Sequence, residues 1–196
     1  MRYDAEHKQR TRRRVLCEAA AAIRQRGPDR IGVAELMAKA GRTHGGFYAH
    51  FESKDELIAE AITEAFDDRH AFFLRSFVEG QEPARGLAAF LDRYLSAAHR
   101  STVQTGCPLP SLSGDVSRLP LAARQRFTAG TARLMQAIAS LLRAAGKADA
   151  DELAASMLAE MVGALALSRA VADVALSDRI LRTSRDAIKR RIGLQP

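Results

Sequence analysis

The chain of 196 residues is predicted to be all-α. Three observations point there: alanine fills nearly a fifth of the positions, apolar residues recur at helical rather than alternating spacing, and Gly and Pro punctuate the periodic stretches. A chain of this length buries a sizeable core, as one large unit or as a small plus a medium unit. Its hydrophobic (47%) and charged (27%) fractions are ordinary globular values and argue against disorder.

Leu16, Ala19, Ala20 and Ile23 mark one face of a first helix that starts near residue 6 and stops at Gly27-Pro28. Val33 to Ala40 predicts a short second helix with Leu36 and Met37 inward, and Gly41-Arg42-Thr43 is a tight turn. Thr43 is the N-cap candidate of a third helix over about 44–50, in which Phe47 and Phe51 share a face. Ser53 followed by Asp55 and Glu56 predicts the capped start of a long fourth helix running toward Phe77. A single helix is then expected from Pro83 to about Arg100, followed by a Gly/Pro/Ser-rich loop around a short helix. Phe127, Leu134, Ile138, Leu141 and Ala145 form a sustained stripe ended by Gly146. Helices over about 152–175 and 178–192 complete the chain, the former apolar over most of its circumference. That is more apolar surface than one small core hides, so a homodimer through about 152–192 is expected.

Charge divides the chain. Residues 1–54 carry twelve Lys/Arg against six Asp/Glu, whereas 55–196 carry eighteen against seventeen. A basic end on a nearly neutral body suits a polyanion, most often nucleic acid, although a solvated basic face has the same signature. Cys17 and Cys107 match neither a metal-ligand spacing nor a disulfide framework, and a reducing compartment is expected. The N-terminus lacks the apolar run of a signal peptide, and the most apolar stretch is interrupted by Glu160 and Arg169, so a cytoplasmic protein without membrane association is expected. No phosphate loop, HExxH pair or nucleophile elbow is present; neither enzyme activity, metal nor cofactor is expected.

The major groove of B-DNA is about one helix wide, and a helix-turn-helix presents its second helix by the N-terminal residues. Here those are Thr43, His44, Gly45 and Gly46, and Arg42, Thr43 and His44 lead into the groove, where they could reach bases or nearby phosphates. Two interior glycines cost roughly 2 kcal/mol relative to alanine. Their absent Cβ atoms suit close seating against a base edge or the preceding helix, with Phe47 and Phe51 as core anchors. Tyr48, His50 and Lys54 suit phosphate oxygens, and the Arg10–Arg14 run, with Arg12 and Arg13, adds an electrostatic clamp. With so few side chains at the front of the helix, DNA shape is expected to share the specificity.

The window VAELMAKAGRTHGGFYAHFESKDEL resembles the DNA-binding motif of the TetR family of bacterial regulators, with Gly41, Thr43, Tyr48, His50, Phe51, Lys54 and Leu57 at the expected places over a match of about 50 residues. The resemblance implies nine or so helices, a homodimer formed by the last two long helices, Thr43 and His44 at the groove, and Tyr48, His50 and Lys54 at phosphates. It also implies a small-molecule pocket in the C-terminal body whose occupancy shifts the fourth helix and so the two reading heads. The segment THGGFY, together with GCP followed by Asp115, looks like one subgroup of the family, while Gly46 departs from the usual side-chain-bearing residue. A DNA-binding domain over 1–54 and an effector-binding and dimerisation domain over 55–196 follow.

Phe73, Phe77, Phe90, Tyr94, His99, Cys107, Phe127, Met135, Met157 and Met161 are the candidate walls of a largely apolar effector site, since aromatics and mobile methionines suit one. Cys107 is expected to be a small buried apolar filler, the alternative being an N-cap that favours thiolate if Pro108 opened a short helix; Cys17 is expected to be packing. The reading is a ligand-responsive repressor of double-stranded DNA. An effector-independent architectural DNA binder and a thiol-based redox enzyme acting through Cys107 are the alternatives.

Overall fold

The computed structural model describes residues 2–195, so the outermost residues of the two predicted domains, 1 and 196, lie outside it. All regular elements among the described residues are helical. Helix α1 (Arg2–Arg26) starts earlier than its apolar stripe, because the stripe marks only the part that packs. Its buried face, Val15, Leu16, Ala19, Ala22 and Ile23, lies against α3 (Lys54–Phe73). Gly27, at a φ of 81°, ends α1 in the left-handed region that glycine occupies freely.

Helix α2 (Val33–Lys39) closes with Gly41 at a φ of 72°. The Gly41 N–H donates to Ala38 O (2.9 Å) and the Arg42 N–H to Met37 O (2.8 Å), the paired bonds of a Schellman turn, which aims the chain into the next element. That element, His44–Ala49, is a 3₁₀ helix rather than the α-helix expected, with Gly46 N–H bonded to Thr43 O at 3.1 Å. Six residues with adjacent glycines lack the side-chain support that an α-helical nucleus needs, and short segments tighten in this way. Thr43 stands at the N-cap with an extended backbone, but its side chain makes no capping bond.

Ser53 Oγ accepts the Glu56 N–H (3.1 Å), while Glu56 Oε2 accepts the N–H of Glu52 (2.5 Å), one residue before the cap, and the two bonds together open α3. The helix ends in a single π-helical turn, Leu74–Val78. Against that turn packs α4 (Pro83–Tyr94), so closely that a Cβ on Gly86 would stand 2.1 Å from Phe77 O; only glycine fits.

The single helix predicted from Pro83 to Arg100 is broken at Leu95, where the backbone leaves helical geometry (φ −95°, ψ 58°). Ser96 Oγ accepts the His99 N–H (3.1 Å) and caps a separate short α5 (Ala97–Ser101). Serine offers the backbone an alternative partner, and here that local bond wins over continuation. Helices α6 (Leu109–Val116) and α7 (Leu121–Ala144) follow. Pro108, not Cys107, occupies the N-cap of α6.

Helix α8 (Ala150–Ala170) ends five residues before its expected limit, and α9 (Val174–Arg191) begins four residues early. The cause is Asp173, whose Oδ1 accepts the N–H groups of Ala175 (2.8 Å) and Leu176 (3.1 Å). By length and mean hydropathy (1.3) α8 resembles a membrane span. The two charged residues within its apolar run are nevertheless tied into the body: Glu160 pairs with Arg191 (2.9 Å), and Arg169 donates to His99 O and Arg100 O. One continuous core joins α1 to α9 through α3 and α7.

Candidate nucleic-acid interface and effector cavity

At the basic end, Phe47 and Phe51 are each 2% exposed and stack 5.5 Å apart, fastening the 3₁₀ helix to the core. Tyr48, between them in sequence, is 71% exposed. Thr43, His44 and Gly45 are exposed as well, so the front of the element faces outward. An added Cβ at Gly45 would meet nothing within 4 Å, and one at Gly46 would lie 3.6 Å from Met37 Cε, an ordinary contact. Neither glycine is therefore required by seating against α2, which corrects that half of the expectation.

Beside this element lies a shallow cleft lined by His7, Lys8, Thr11, Arg42, Thr43, Gly46 and His50. Arg42 bridges it, donating to Thr11 Oγ1 (2.9 Å) and contacting His7 Nε2. Thr11 lies within the Arg10–Arg14 run and His7 and Lys8 adjoin it, and charge pattern alone does not distinguish them. His50 is half-buried, and desolvation, followed by the charges of Lys8, Arg42 and Arg12, lowers its pKa. Its Nδ1 is buried without a hydrogen-bond partner among the described residues.

Arg12 differs from the outward clamp expected. Its guanidinium donates to Glu60 (2.6 Å) and to His50 O (3.2 Å) and lies 4.7 Å over the Phe51 ring, so it braces α1, the 3₁₀ helix and α3. Arg13 and Arg14 are exposed. Lys54 is half-buried, with Nζ donating to Asp29 O (3.3 Å).

In the body, α3, its π turn, α4 and the segment 99–107 surround a cavity of about 70 Å³. Phe73, Phe77, Phe90, Tyr94, His99 and Cys107 all line it, as do Arg69, Phe72, Arg93, Thr102, Thr105, Gly106 and Leu134, of which only Phe72 is an aromatic that the pattern passed over. Edge-to-face contacts run from Phe73 to Phe90 (4.8 Å), from Phe90 to Tyr94 (5.7 Å) and from Tyr94 to His99 (4.8 Å). The structure does not bring the other four predicted residues to this wall. Phe127 packs on Phe66, Met135 lies partly buried on α7, and Met157 and Met161 are fully buried on α8.

His99 organises the segment. Its Nδ1–H donates to Tyr94 O (2.8 Å), and its Nε2 accepts the Cys107 N–H (3.0 Å), which fixes the neutral tautomer. Burial is the main reason its pKa falls to about 4, aided by the charges of Arg169, Arg93 and Arg69. The imidazole is thus engaged with the backbone of Cys107 rather than its thiol. Burial pushes that thiol up, opposite to the thiolate-favouring site considered from sequence. Cys17 also departs from expectation, being exposed with Sγ 3.3 Å from Glu64 Oε1. Tyr94 Oη is buried and meets no hydrogen-bond partner of good geometry among the described residues; desolvation raises its pKa well above the ordinary value, and the neighbouring Cys107 thiol reinforces this. No His/Cys/Asp/Glu cluster among the described residues could hold a metal.

The cavity and the basic end share a wall. Arg24, buried in α1, donates to Gly106 O (3.4 Å), and Gln104 donates to Gln25 (2.8 Å). Residues 102–107 therefore touch both the cavity and the helix that carries the head.

Comparison with known proteins agrees with this architecture. The chain is similar over 97% of its length, and 98% of the other's, to a TetR transcriptional regulator from Chloroflexus aurantiacus J-10-FL (27% identity, TM-score 0.80). It shares a fold with reduced NemR of E. coli over 92% of this chain and 95% of that one (20% identity, TM-score 0.80). It is 41% identical over 54 residues to the uncharacterized HTH-type transcriptional regulator YdgC of Bacillus subtilis (strain 168), a match spanning 28% of either chain. Residues 15–61 match the family described as bacterial regulatory proteins, tetR family, and residues 83–184 match the tetracyclin repressor-like C-terminal domain. Head and body are thus both accounted for, and the chain belongs to the TetR family of DNA-binding transcriptional regulators.

Proposed function

We propose that this regulator is a cytoplasmic repressor that binds a palindromic operator as a homodimer and is released by a small molecule held in the body. The head, up to about residue 54, inserts the 3₁₀ helix His44–Ala49 into the major groove. Arg42, Thr43 and His44 meet base edges or nearby phosphates, Gly45 and Gly46 allow close approach of the backbone, and Tyr48, His50 and Lys54 face phosphates. Arg13 supplies long-range charge, and Arg12 holds the head in shape.

The dimer forms through α8 and α9. Ala155, Ala159, Gly163, Leu167, Ala170 and Val174 recur three or four residues apart and are all exposed, with Leu167 at 58% and Val174 at 66%. Small residues let two helices approach closely, and the large apolar ones gain most by burial.

The observation that carries the ligand-responsive reading is the double role of residues 102–107, which wall the cavity and are bonded to α1 through Arg24 and Gln25. A ligand that prefers a displaced arrangement of this segment tilts α1, and with it the head, away from the DNA-competent spacing. The test uses Gln104→Ala together with Arg24→Met. In that variant a ligand that releases wild-type protein from DNA should still bind but no longer release it; unchanged release would refute the coupling.

A further inference from the structure

The chemistry around the cavity is not uniformly apolar, and its departure has one sign. Arg93 lines the cavity and is exposed, with no ion-pair or hydrogen-bond partner for its guanidinium among the described residues. Arg69 lines the wall, pairs with Asp68 (2.9 Å) and lies 4.8 Å over the Phe72 ring. Arg24 is buried behind Gly106, with Nε unpartnered and only the 3.4 Å contact to Gly106 O. Arg169, on the far side of His99, donates to two carbonyls and to Ser111, none of them charged. No carboxylate lines the cavity among the described residues, and of its two lining arginines only Arg69 has an acidic partner, Asp68. His99 adds no charge of its own while it is held neutral.

A second, independent observation is Tyr94. Its hydroxyl is buried at the cavity wall beside the Cys107 thiol and meets no hydrogen-bond partner of good geometry among the described residues, and a buried hydroxyl left without one is costly unless something visits it. The hydroxyl donates to an oxygen acceptor. Phe73, Phe77 and Phe90, by contrast, offer only ring faces and edges, which suit an apolar or aromatic body. A cavity of about 70 Å³ suits a small ligand, and Arg93, itself exposed, joins its lining to solvent.

We propose that the cavity takes a small hydrophobic acid, its apolar body against Phe73, Phe77 and Phe90 and its carboxylate between Tyr94 Oη and the guanidinium groups of Arg69 and Arg93. A carboxylate is planar, carries two acceptor oxygens and matches a guanidinium pair and one hydroxyl donor. A neutral ligand of the same shape would leave the surplus positive charge unbalanced, and a cationic one would be repelled by it. The inference rests on the reading of this cavity as the effector site.

The test is calorimetric titration of the full chain with cinnamate and octanoate, each against its uncharged amide. The acids should bind about tenfold or more tightly than the amides, the size of one charge-assisted bond. Raising the salt from about 0.05 M to about 0.3 M should narrow that ratio. In Arg93→Gln the acids should weaken toward the amides while the amides hold their affinity, a pattern that loss of fold would not produce. Tyr94→Phe should weaken the acids more than the amides. Amides that bind as well as the acids, or failure of both acids to bind at about 10 mM, would overturn the proposal. If acids and amides bind alike and both release DNA, the effector reading survives without this one. If the acids bind with the stated preference yet leave DNA affinity unchanged, the acid site stands and the ligand switch falls.

Discussion

His99 accepts the backbone N–H of Cys107 on Nε2 at 3.0 Å while its Nδ1–H is held by Tyr94 O at 2.8 Å, so one neutral imidazole spans the break between α4 and the loop at 102–107. Protonation would remove the acceptor and place a charge beside Arg69, Arg93 and Arg169. The folded pKa is about 4 against an ordinary 6.5, so the unfolded chain takes up this proton first as pH falls. Its stabilising contribution is therefore whole above about 6.5 and is lost progressively toward pH 4, at most roughly 3 kcal/mol. His50 and His70 shift in the same direction, so the contribution is read as a difference. Urea denaturation across this window should show wild type losing more stability than His99→Gln, which can keep both bonds without titrating. Parallel curves would remove His99 from the account of acid sensitivity.

Gly45 and Gly46 have no positive φ and no close neighbour, so alanine fits both sites. Each replacement should leave the fold intact and raise stability by up to about 1 kcal/mol, through helix propensity and a less flexible unfolded chain. Binding to a selected duplex should nonetheless weaken about tenfold or more, because the added methyl occupies the space between backbone and base edge. Thermal unfolding and fluorescence anisotropy measure the two effects separately; unaltered affinity would mean that the groove face lies elsewhere.

Arg12 and Arg13 are neighbours in one basic run yet face opposite tasks. Arg12→Met strips Glu60 and His50 O of their donor and should cost about 1 kcal/mol, reduced by partial exposure. Arg13→Met should change stability by no more than about 0.5 kcal/mol but lower the salt slope of DNA binding by about one. Equal effects of the two variants on both measurements would contradict the division.

Leu167 is the large apolar residue at the centre of the exposed α8 stripe. Leu167→Glu should yield a folded monomer by light scattering, with helical circular dichroism unchanged and operator affinity lowered by orders of magnitude, since two linked heads bind far better than one. A dimer that survives the substitution would place the interface elsewhere.

Much of this was legible in the sequence, for identifiable reasons. Helical periodicity located Phe73, Phe77, Phe90 and Tyr94, which do share a cavity, because residues three and four apart lie on one helix face. The same periodicity also nominated Met157 and Met161, which are plain core: an apolar stripe does not reveal whether it meets another helix or empty space. The break at Leu95 escaped because Ser96 caps α5 with a bond that depends on local geometry rather than on pattern. Arg24, Arg69 and Arg93 were invisible as a group, being distant in sequence and joined only by the tertiary fold. Arg12 read as a phosphate contact because charge alone does not say which way a side chain turns.

Selecting bound duplexes from a random pool, then determining how many chains sit on each selected site, tests the dimeric repressor most directly. The expected result is an inverted repeat whose half-sites are separated by about one helical turn or a multiple of it, with protomers bound in pairs. Recovery of unrelated duplexes coated by chains in no fixed ratio would contradict it and favour an architectural DNA binder.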